Sequence, residues 1–344
     1  EAVAIPDDAE VIDLQGNTVS PGFIDTHAHH TGHFYSSPLP QTNASYLANL
    51  AFGVTTTHDP STNTETVFSL AELQRRGDLI APRIFSTGAV LYGAKSNSFV
   101  DIESLDDARM QSKRLRDQGA FSVKSYNQPR RDQRQFIFQA AAELGMSVYP
   151  EGGATFYNQL THIIDGASGL EHNLPVAPLY EDVLSLWGAV PEVGYTQTLV
   201  VNYAGLNSEY YWYQQMPVWQ HALLGKYTSQ AELTARSRRV EQAADDDYFF
   251  QEVAASGKAL QDRGVLVTVG AHGQLQGLGY HWEMWSMAMG GMSPGDVLRA
   301  ATIDGARYLN VDSRLGSLEA GKLADFVVLE KDPLDDIRNT DSVR

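Results

Sequence analysis

Two histidines two residues apart, His27 and His29, close the short apolar stretch Phe23-Ile24-Asp25-Thr26-His27-Ala28-His29. In an extended segment, positions i and i+2 share a face, so both imidazoles are expected to point the same way. Two neutral imidazoles at that spacing chelate one borderline-soft divalent cation, for which zinc is the default. Two polar rim histidines without metal are the plain alternative. His30 and His33 follow, and are expected to be solvated or to support the ligands rather than bind. The chain has no cysteine, so a metal must be held by histidine, carboxylate or modified lysine, and neither a disulfide framework nor a thiolate nucleophile is available.

The elements that must position these groups recur as an apolar strand, a polar and glycine-rich loop, and a helical stretch, between about residues 20 and 310. Strand ends are expected near His29, His58, Gly88, Ser125, Glu151, His172, Asn202 and His272. Repeated βα units imply a parallel sheet, and eight of them a (β/α)8 TIM barrel whose C-terminal rim carries the active site. Six of the eight ends bear a potential ligand or ionisable group. One of only seven lysines in the chain, Lys124, lies inside the otherwise apolar strand expected over 121–126.

The seventh unit, with strands expected over 198–203 and 265–269, is longer than the others and implies an insertion over 206–262. Its first part, Tyr210-Tyr211-Trp212-Tyr213 with Trp219, is densely aromatic, and its second has helical spacing. A packing helix pair and a lid or subunit interface are both open for it. The ends of the chain, 1–20 and 312–344, read as a small β-layer flanking a barrel over 21–311. The abrupt start at Glu1 suggests an incomplete β-sandwich layer whose edges pair with a missing N-terminal portion or a second copy.

Composition narrows the function classes. Of 344 residues, 42 are acidic and 25 basic, a formal charge of −17. Such a surface repels nucleic-acid backbones and anionic membranes, so small neutral or cationic ligands, or metal ions, are the expected partners. With 43% hydrophobic residues the chain can bury a substantial core, and no apolar run approaches the roughly 20 residues that cross a bilayer. It reads as soluble. The Gly152-Gly153 and Gly290-Gly291 pairs lack the spacing of a phosphate loop.

The residues in order are Pro21-Gly22-Phe23-Ile24-Asp25-Thr26-His27-Ala28-His29, Gly53-Val54-Thr55-Thr56, Val123-Lys124, Gly169-Leu170-Glu171-His172, Ala300-Ala301-Thr302 with Gly305-Ala306, and Gly321-Lys322-Leu323-Ala324-Asp325. This set resembles the amidohydrolase superfamily over nearly the whole chain, in particular its imidazolonepropionase-like and prolidase-like branch. It is most similar to amidohydrolase domains that follow a TolB-like β-propeller, which leans the expectation toward an extracytoplasmic bacterial location. The resemblance implies that His27 and His29 bind the more buried metal and His172 the more exposed one. Lys124 matches the lysine whose N6-carboxylated form bridges two ions in a binuclear metal centre. Only a neutral amine reacts with carbon dioxide, and two nearby cations would depress its pKa. An unmodified Lys124 paired with Glu151 is the alternative.

Two positions depart from the family pattern. Where strand five ordinarily supplies histidine the chain has Glu151, and where strand eight ordinarily supplies aspartate it has His272. The exchange moves the carboxylate across the barrel while preserving ligand types and total charge, which favours a retained centre over decay. It also puts the proton carrier in question: His272 suits that role if it is not a ligand, and Glu151 follows it. Tyr126, Arg130, His281 and His58 are candidate substrate contacts, against ordinary readings of a solvated Arg130, a helix-capping His281 and a hydrogen-bonded His58.

The expectation is a metal-dependent hydrolase with one or two divalent cations, Zn first, cleaving an amide bond in a peptide-like or N-acyl amino acid substrate by metal-activated water. A lactonase or phosphotriester hydrolase would use the same centre, and an inactive metal-binding domain would keep the barrel for its surface.

Overall fold

The computed structural model describes residues 5–30, 39, 42–96, 100–153, 155–238 and 241–344. Among the described residues twelve strands occur in chain order: β1 (Thr18–Pro21), β2 (Phe23–Asp25), β3 (Val54–Asp59), β4 (Arg83–Ser86), β5 (Leu91–Tyr92), β6 (Val100–Asp101), β7 (Ser122–Ser125), β8 (Ser147–Pro150), β9 (Gly169–Glu171), β10 (Gly194–Thr196), β11 (Val267–Thr268) and β12 (Phe326–Leu329). The fold is α/β. Three sheets are parallel, in the orders β2-β3-β4, β6-β5-β7-β8 and β11-β10-β9.

These sheets touch. A bridge between Glu151 and Glu171 joins the ends of β8 and β9. Thr26 N donates to Val269 O at 3.0 Å, and His272 N to His27 O at 2.8 Å, which joins β11 to β2. Eight parallel strands thus follow one another from β4 through β3, β2, β11, β10, β9 and β8 to β7. Among the described residues no strand pairing links β4 to β7.

The strands are short because their interior side chains are few and specific. Phe23, Val54, Val123, Leu170 and Val267 are buried, with the hydroxyls of Thr26, Thr196 and Thr268 bonded to one another at 2.8–3.3 Å in the interior. Local signals end the helices where they should. Ser104 and Asp107 form a reciprocal capping box on the helix Leu105–Asp117, and Gly77, at φ +79°, stops the helix Thr64–Arg76.

The seventh unit differs from expectation. Its strand is Gly194–Thr196, and the apolar run after it, Leu199–Val201, is a 3-10 turn entered through Thr198 at φ +51°. An apolar run without alternation suits a buried turn as well as a strand, and a carboxylate from a distant helix selects the turn here. The eighth strand is likewise shorter than expected, at Val267–Thr268.

The insertion contains the helices Ser208–Gln215, Leu224–Tyr227 and Gln230–Ser237 before the helix Phe250–Gln261. Its aromatic residues pack inward. Trp212 Nε1 donates to Ser286 Oγ at 2.9 Å, Trp212 packs on Trp285, and Tyr213 meets Trp282 edge-on at 4.9 Å. Trp219, 53% exposed, is the exception. The ends of the chain meet in an antiparallel pair, Thr18 opposite Leu329 through Pro21 opposite Phe326, with Leu329 also bridging Val343.

Candidate metal centre

The buried carboxyl of Asp25, the last residue of β2, turns the chain beyond it. Its Oδ1 accepts the N–H of His27 at 3.0 Å and that of Ala271 at 3.2 Å, while burial pushes its pKa up to about 7. The turn brings the Nε2 atoms of His27 and His29 to 3.2 Å from each other. His172, after β9, and His272, after β11, complete the group; ligand atoms of His27, His172 and His272 lie within 4.8 Å of one another. His27 and His29 thus face each other through a bend beyond β2, which ends at Asp25, rather than through alternation within a strand.

Each of these four rings is held at Nδ1. His27 Nδ1 meets the carboxylate of Glu171, and His29 Nδ1 faces Asp59 Oδ1 at 3.2 Å. His172 Nδ1 lies 2.6 Å from Thr198 Oγ1, and His272 Nδ1 lies 3.2 Å from Gln274 Oε1. A neutral imidazole that donates through Nδ1 has its lone pair on Nε2, and here those lone pairs are left for the centre. Anchoring by carboxylate or another acceptor is the usual support of a metal-binding histidine.

Three residues of the site carry backbone strain. His172 (φ +70°), Thr198 (φ +51°) and His272 (φ +57°) are three of the five non-glycine residues with positive φ among the described residues. Left-handed backbone in such residues costs about 1–3 kcal/mol and persists where surrounding structure enforces it, often at functional sites.

The carboxylates lie on the β8–β9 side. Glu151 Oε1 is 3.1 Å from His172 Nε2 and accepts from the Tyr203 hydroxyl at 3.1 Å; the Tyr203 ring stacks on His172 at 4.5 Å. Lys124 Nζ is 2.6 Å from Glu151 Oε2 and 3.6 Å from Glu171 Oε2. Glu171 is completely buried and also accepts from the Tyr308 hydroxyl at 3.1 Å.

Charge follows from this packing. Burial, then Lys124 and His172, hold His27 well below the usual histidine range, and burial with His29 and His172 does the same to His272. Burial alone would raise Glu151, but Lys124 and His172 outweigh it and hold its carboxyl well below the usual range. Burial would lower Lys124, and the flanking Glu151 and Glu171 reverse the direction and raise it. The structure thus presents Lys124 in the ion pair with Glu151.

A divalent cation fits the donor set. His172 Nε2 is shut away from water, makes no hydrogen bond, and faces a carboxylate oxygen. Two acceptors at that separation repel unless a cation or a proton lies between them.

The expected substrate contacts divide. Tyr126 is half-buried beyond the end of β7, packs edge-on against Tyr92, and feels the charge of Glu151. Arg130 is exposed and pairs with Asp132 at the start of the helix Arg131–Glu143, so the solvated reading applies. His58 is fully buried, its Nε2 3.0 Å from Ser122 Oγ and its Nδ1 3.2 Å from Thr26 O, as in the hydrogen-bonded reading. His281 is corrected more strongly. It is fully buried inside the helix Leu278–Met289, between Thr340 Oγ1 at 3.0 Å and Phe52 O at 2.9 Å, and neither contacts substrate nor caps the helix. His30 is buried beside Thr57 and Tyr46, and His33 lies outside the described residues.

Sequence reasoning missed Glu171, Asp59, Thr198 and Tyr203. Glu171 and Asp59 each adjoin a residue that was singled out, and a carboxylate at the end of a buried strand was the signal available. Thr198 and Tyr203 carried none, because the strand register around them was misread.

The sequence model of the amidohydrolase family matches residues 220–343. No curated protein matches the chain by sequence. Among solved structures, a prolidase-like protein from Bifidobacterium longum is similar at TM-score 0.73 and 21% identity, covering 99% of this chain and 82% of that one. A Xaa-Pro dipeptidase with bound methionine in its active site gives 0.71 and 19%, covering 99% and 88%. A. niger ochratoxinase gives 0.67 and 17%, covering 94% and 80%. At these identities the likeness speaks for the fold. Joined to the sequence match over 220–343, it agrees with the resemblance carried by the motifs: residues 220–343 match the amidohydrolase family, and the fold is similar to that of prolidase-like and dipeptidase structures.

Proposed function

We propose that this chain is a metal-dependent hydrolase of amide bonds, acting on a dipeptide-like or N-acyl amino acid substrate. The observation that carries the reading is the set of four clustered imidazoles, His27 and His172 buried and His29 and His272 partly buried, each held at Nδ1, with His172 Nε2 facing Glu151. Prolidase-like and dipeptidase relatives of the same fold support the substrate class. In the same reading the three parallel sheets are arcs of one (β/α)8 barrel, and the pair β1–β12 is part of a small β-layer.

His27, His29, His172 and His272 would hold the ion, with zinc the default for imidazole donors. Such an ion supplies a Lewis acid and lowers the pKa of water from 15.7 toward about 7. His272, neutral at working pH, is assigned to the ligand set, which passes the proton-carrying role to Glu151. Glu151 Oε1 would take the proton of the attacking water and return it to the leaving nitrogen, steadied by the Tyr203 hydroxyl. Lys124, on the other oxygen, keeps that carboxyl ionised. Tyr126 stands at the same end and would line the substrate.

The test is metal content of protein prepared without chelator or added metal, in the parent, His27→Ala and Glu151→Ala, alongside turnover of Xaa-Pro dipeptides, N-acyl amino acids, lactones and phosphotriesters. Bound zinc that is lost in His27→Ala, with turnover of an amide, is the expected result. A parent chain without metal would overturn the reading. Metal with lactone or phosphotriester turnover alone would move it to those classes.

A further inference from the structure

We propose that Glu283, a buried carboxylate outside the ligand set, is a positioning residue: it holds the turn after β10 so that Thr198 fixes the His172 ring with its Nε2 lone pair turned toward the metal centre. The inference rests on the metal-dependent reading above and extends it to a residue on the far side of a helix.

Glu283 lies within the helix Leu278–Met289 and is completely buried. Its Oε1 accepts the N–H of Leu199 at 2.8 Å and its Oε2 that of Val200 at 2.9 Å. These are the opening N–H groups of the 3-10 turn Leu199–Val201, which have no partner inside the turn itself. Among the described residues no lysine or arginine forms an ion pair with Glu283. Burial pushes its pKa up to about 8 against the pull of the two N–H donors, so an acidic group stands there at an electrostatic cost that an apolar filler would avoid.

What the turn achieves is a conformation threonine rarely adopts. Thr198 sits at φ +51° and ψ +51°. Its hydroxyl donates to Gln197 O at 2.7 Å, and a hydroxyl has one hydrogen. Toward His172 Nδ1, 2.6 Å away, Thr198 Oγ1 can therefore only accept. A neutral His172 therefore carries its proton on Nδ1, with the Nε2 lone pair 3.1 Å from Glu151 Oε1, where a metal ion would be held. Gln197 is pinned in turn through Nε2 to Val253 O at 2.8 Å. Without Glu283, Thr198 would return to the extended backbone it prefers, its hydroxyl would leave Nδ1, and the imidazole could place its proton on either nitrogen.

The experiment uses metal-free protein labelled with 15N-histidine, with the His172 signals assigned by their loss in His172→Asn. Long-range 1H–15N spectra read the tautomer, and chelator competition reads zinc affinity. The parent is expected to show the Nδ1–H form. Thr198→Val and Glu283→Leu should both mix the tautomers and weaken zinc binding by about 10–100-fold, in the range found for outer partners of metal-binding histidines. Thr198→Ser should restore both readouts, and Glu283→Gln, which keeps one acceptor for the turn, should fall between. An unchanged tautomer in folded Glu283→Leu, or in Glu283→Gln where the leucine variant does not fold, overturns the proposal, as does a loss of affinity with the tautomer intact. If the parent binds no zinc while the tautomer responds as described, the positioning role stands and the metal reading alone fails.

Discussion

Glu171 and Lys124 decide the electrical state of the centre residue by residue. Glu171 anchors His27 and, with Glu151, surrounds Lys124. Glu171→Gln should weaken zinc binding by roughly 10–100-fold, because a neutral amide anchors Nδ1–H less strongly than a carboxylate; chelator competition measures it, and an unchanged affinity would remove Glu171 from the site. Lys124 couples to metal count. As an ammonium it leaves one negative charge on the Lys124, Glu151 and Glu171 group, matched to a single divalent ion. As a carbamate it would leave three, matched to two ions. Intact-mass measurement and elemental analysis on one sample should therefore agree: an unmodified chain with one ion, or a chain heavier by one carbon dioxide with two. An unmodified chain holding two ions would contradict this charge argument.

The helices around the centre contain buried polar groups that titrate or pair away from it. Arg134 and Asp165 tie the helix Arg131–Glu143 to the end of the helix Phe156–Ile164, with Arg134 also donating to Asn158 at 2.6 Å and Thr161 at 2.7 Å. Arg134→Met strands the buried Asp165 with fewer partners and should cost about 3–5 kcal/mol in denaturant unfolding, with a loss under about 1 kcal/mol counting against a structural role for the network. His162, in the second of these helices, is buried with neither ring nitrogen hydrogen-bonded, and burial pushes its pKa down to about 3. The unfolded chain, with an ordinary histidine near 6.5, binds the proton more readily, so the stability tied to neutral His162 is full above pH 6.5 and is lost as pH falls toward about 3. His162→Leu should therefore flatten the fall of Tm with acidity across that window. Equal slopes for variant and parent would show that His162 is not buried as described.

Across the whole molecule the candidate ligands come from all three parallel sheets: His27 and His29 beyond β2, Lys124 and Glu151 on and after β7 and β8, His172 and His272 after β9 and β11. An ion bound there would tie the sheets to one another. By mass action, zinc at one hundred times its Kd should stabilise the fold by about 2.7 kcal/mol, and chelator should reverse it. Calorimetry with and without chelator measures this, and an unchanged Tm would mean that no ion binds the native centre in preference to the unfolded chain.

The sequence by itself determined the alternation of strands and helices and the placing of His27, His29, Lys124, Glu151, His172 and His272 in or just beyond strands, because these follow from local periodicity and residue type. Whether two such residues touch depends on contacts between segments far apart in the chain. Only the tertiary structure put Lys124 between two carboxylates, which outweigh burial and raise its pKa. It alone buried His281 between Phe52 and Thr340. The seventh strand shows the same division: Leu199-Val200-Val201 reads as strand by its own apolar character, and the carboxylate of Glu283, more than eighty residues away, makes it a turn. Propensity is set within a few neighbouring residues, whereas charge state, burial and hydrogen-bond partner are set by whichever segments the fold brings alongside.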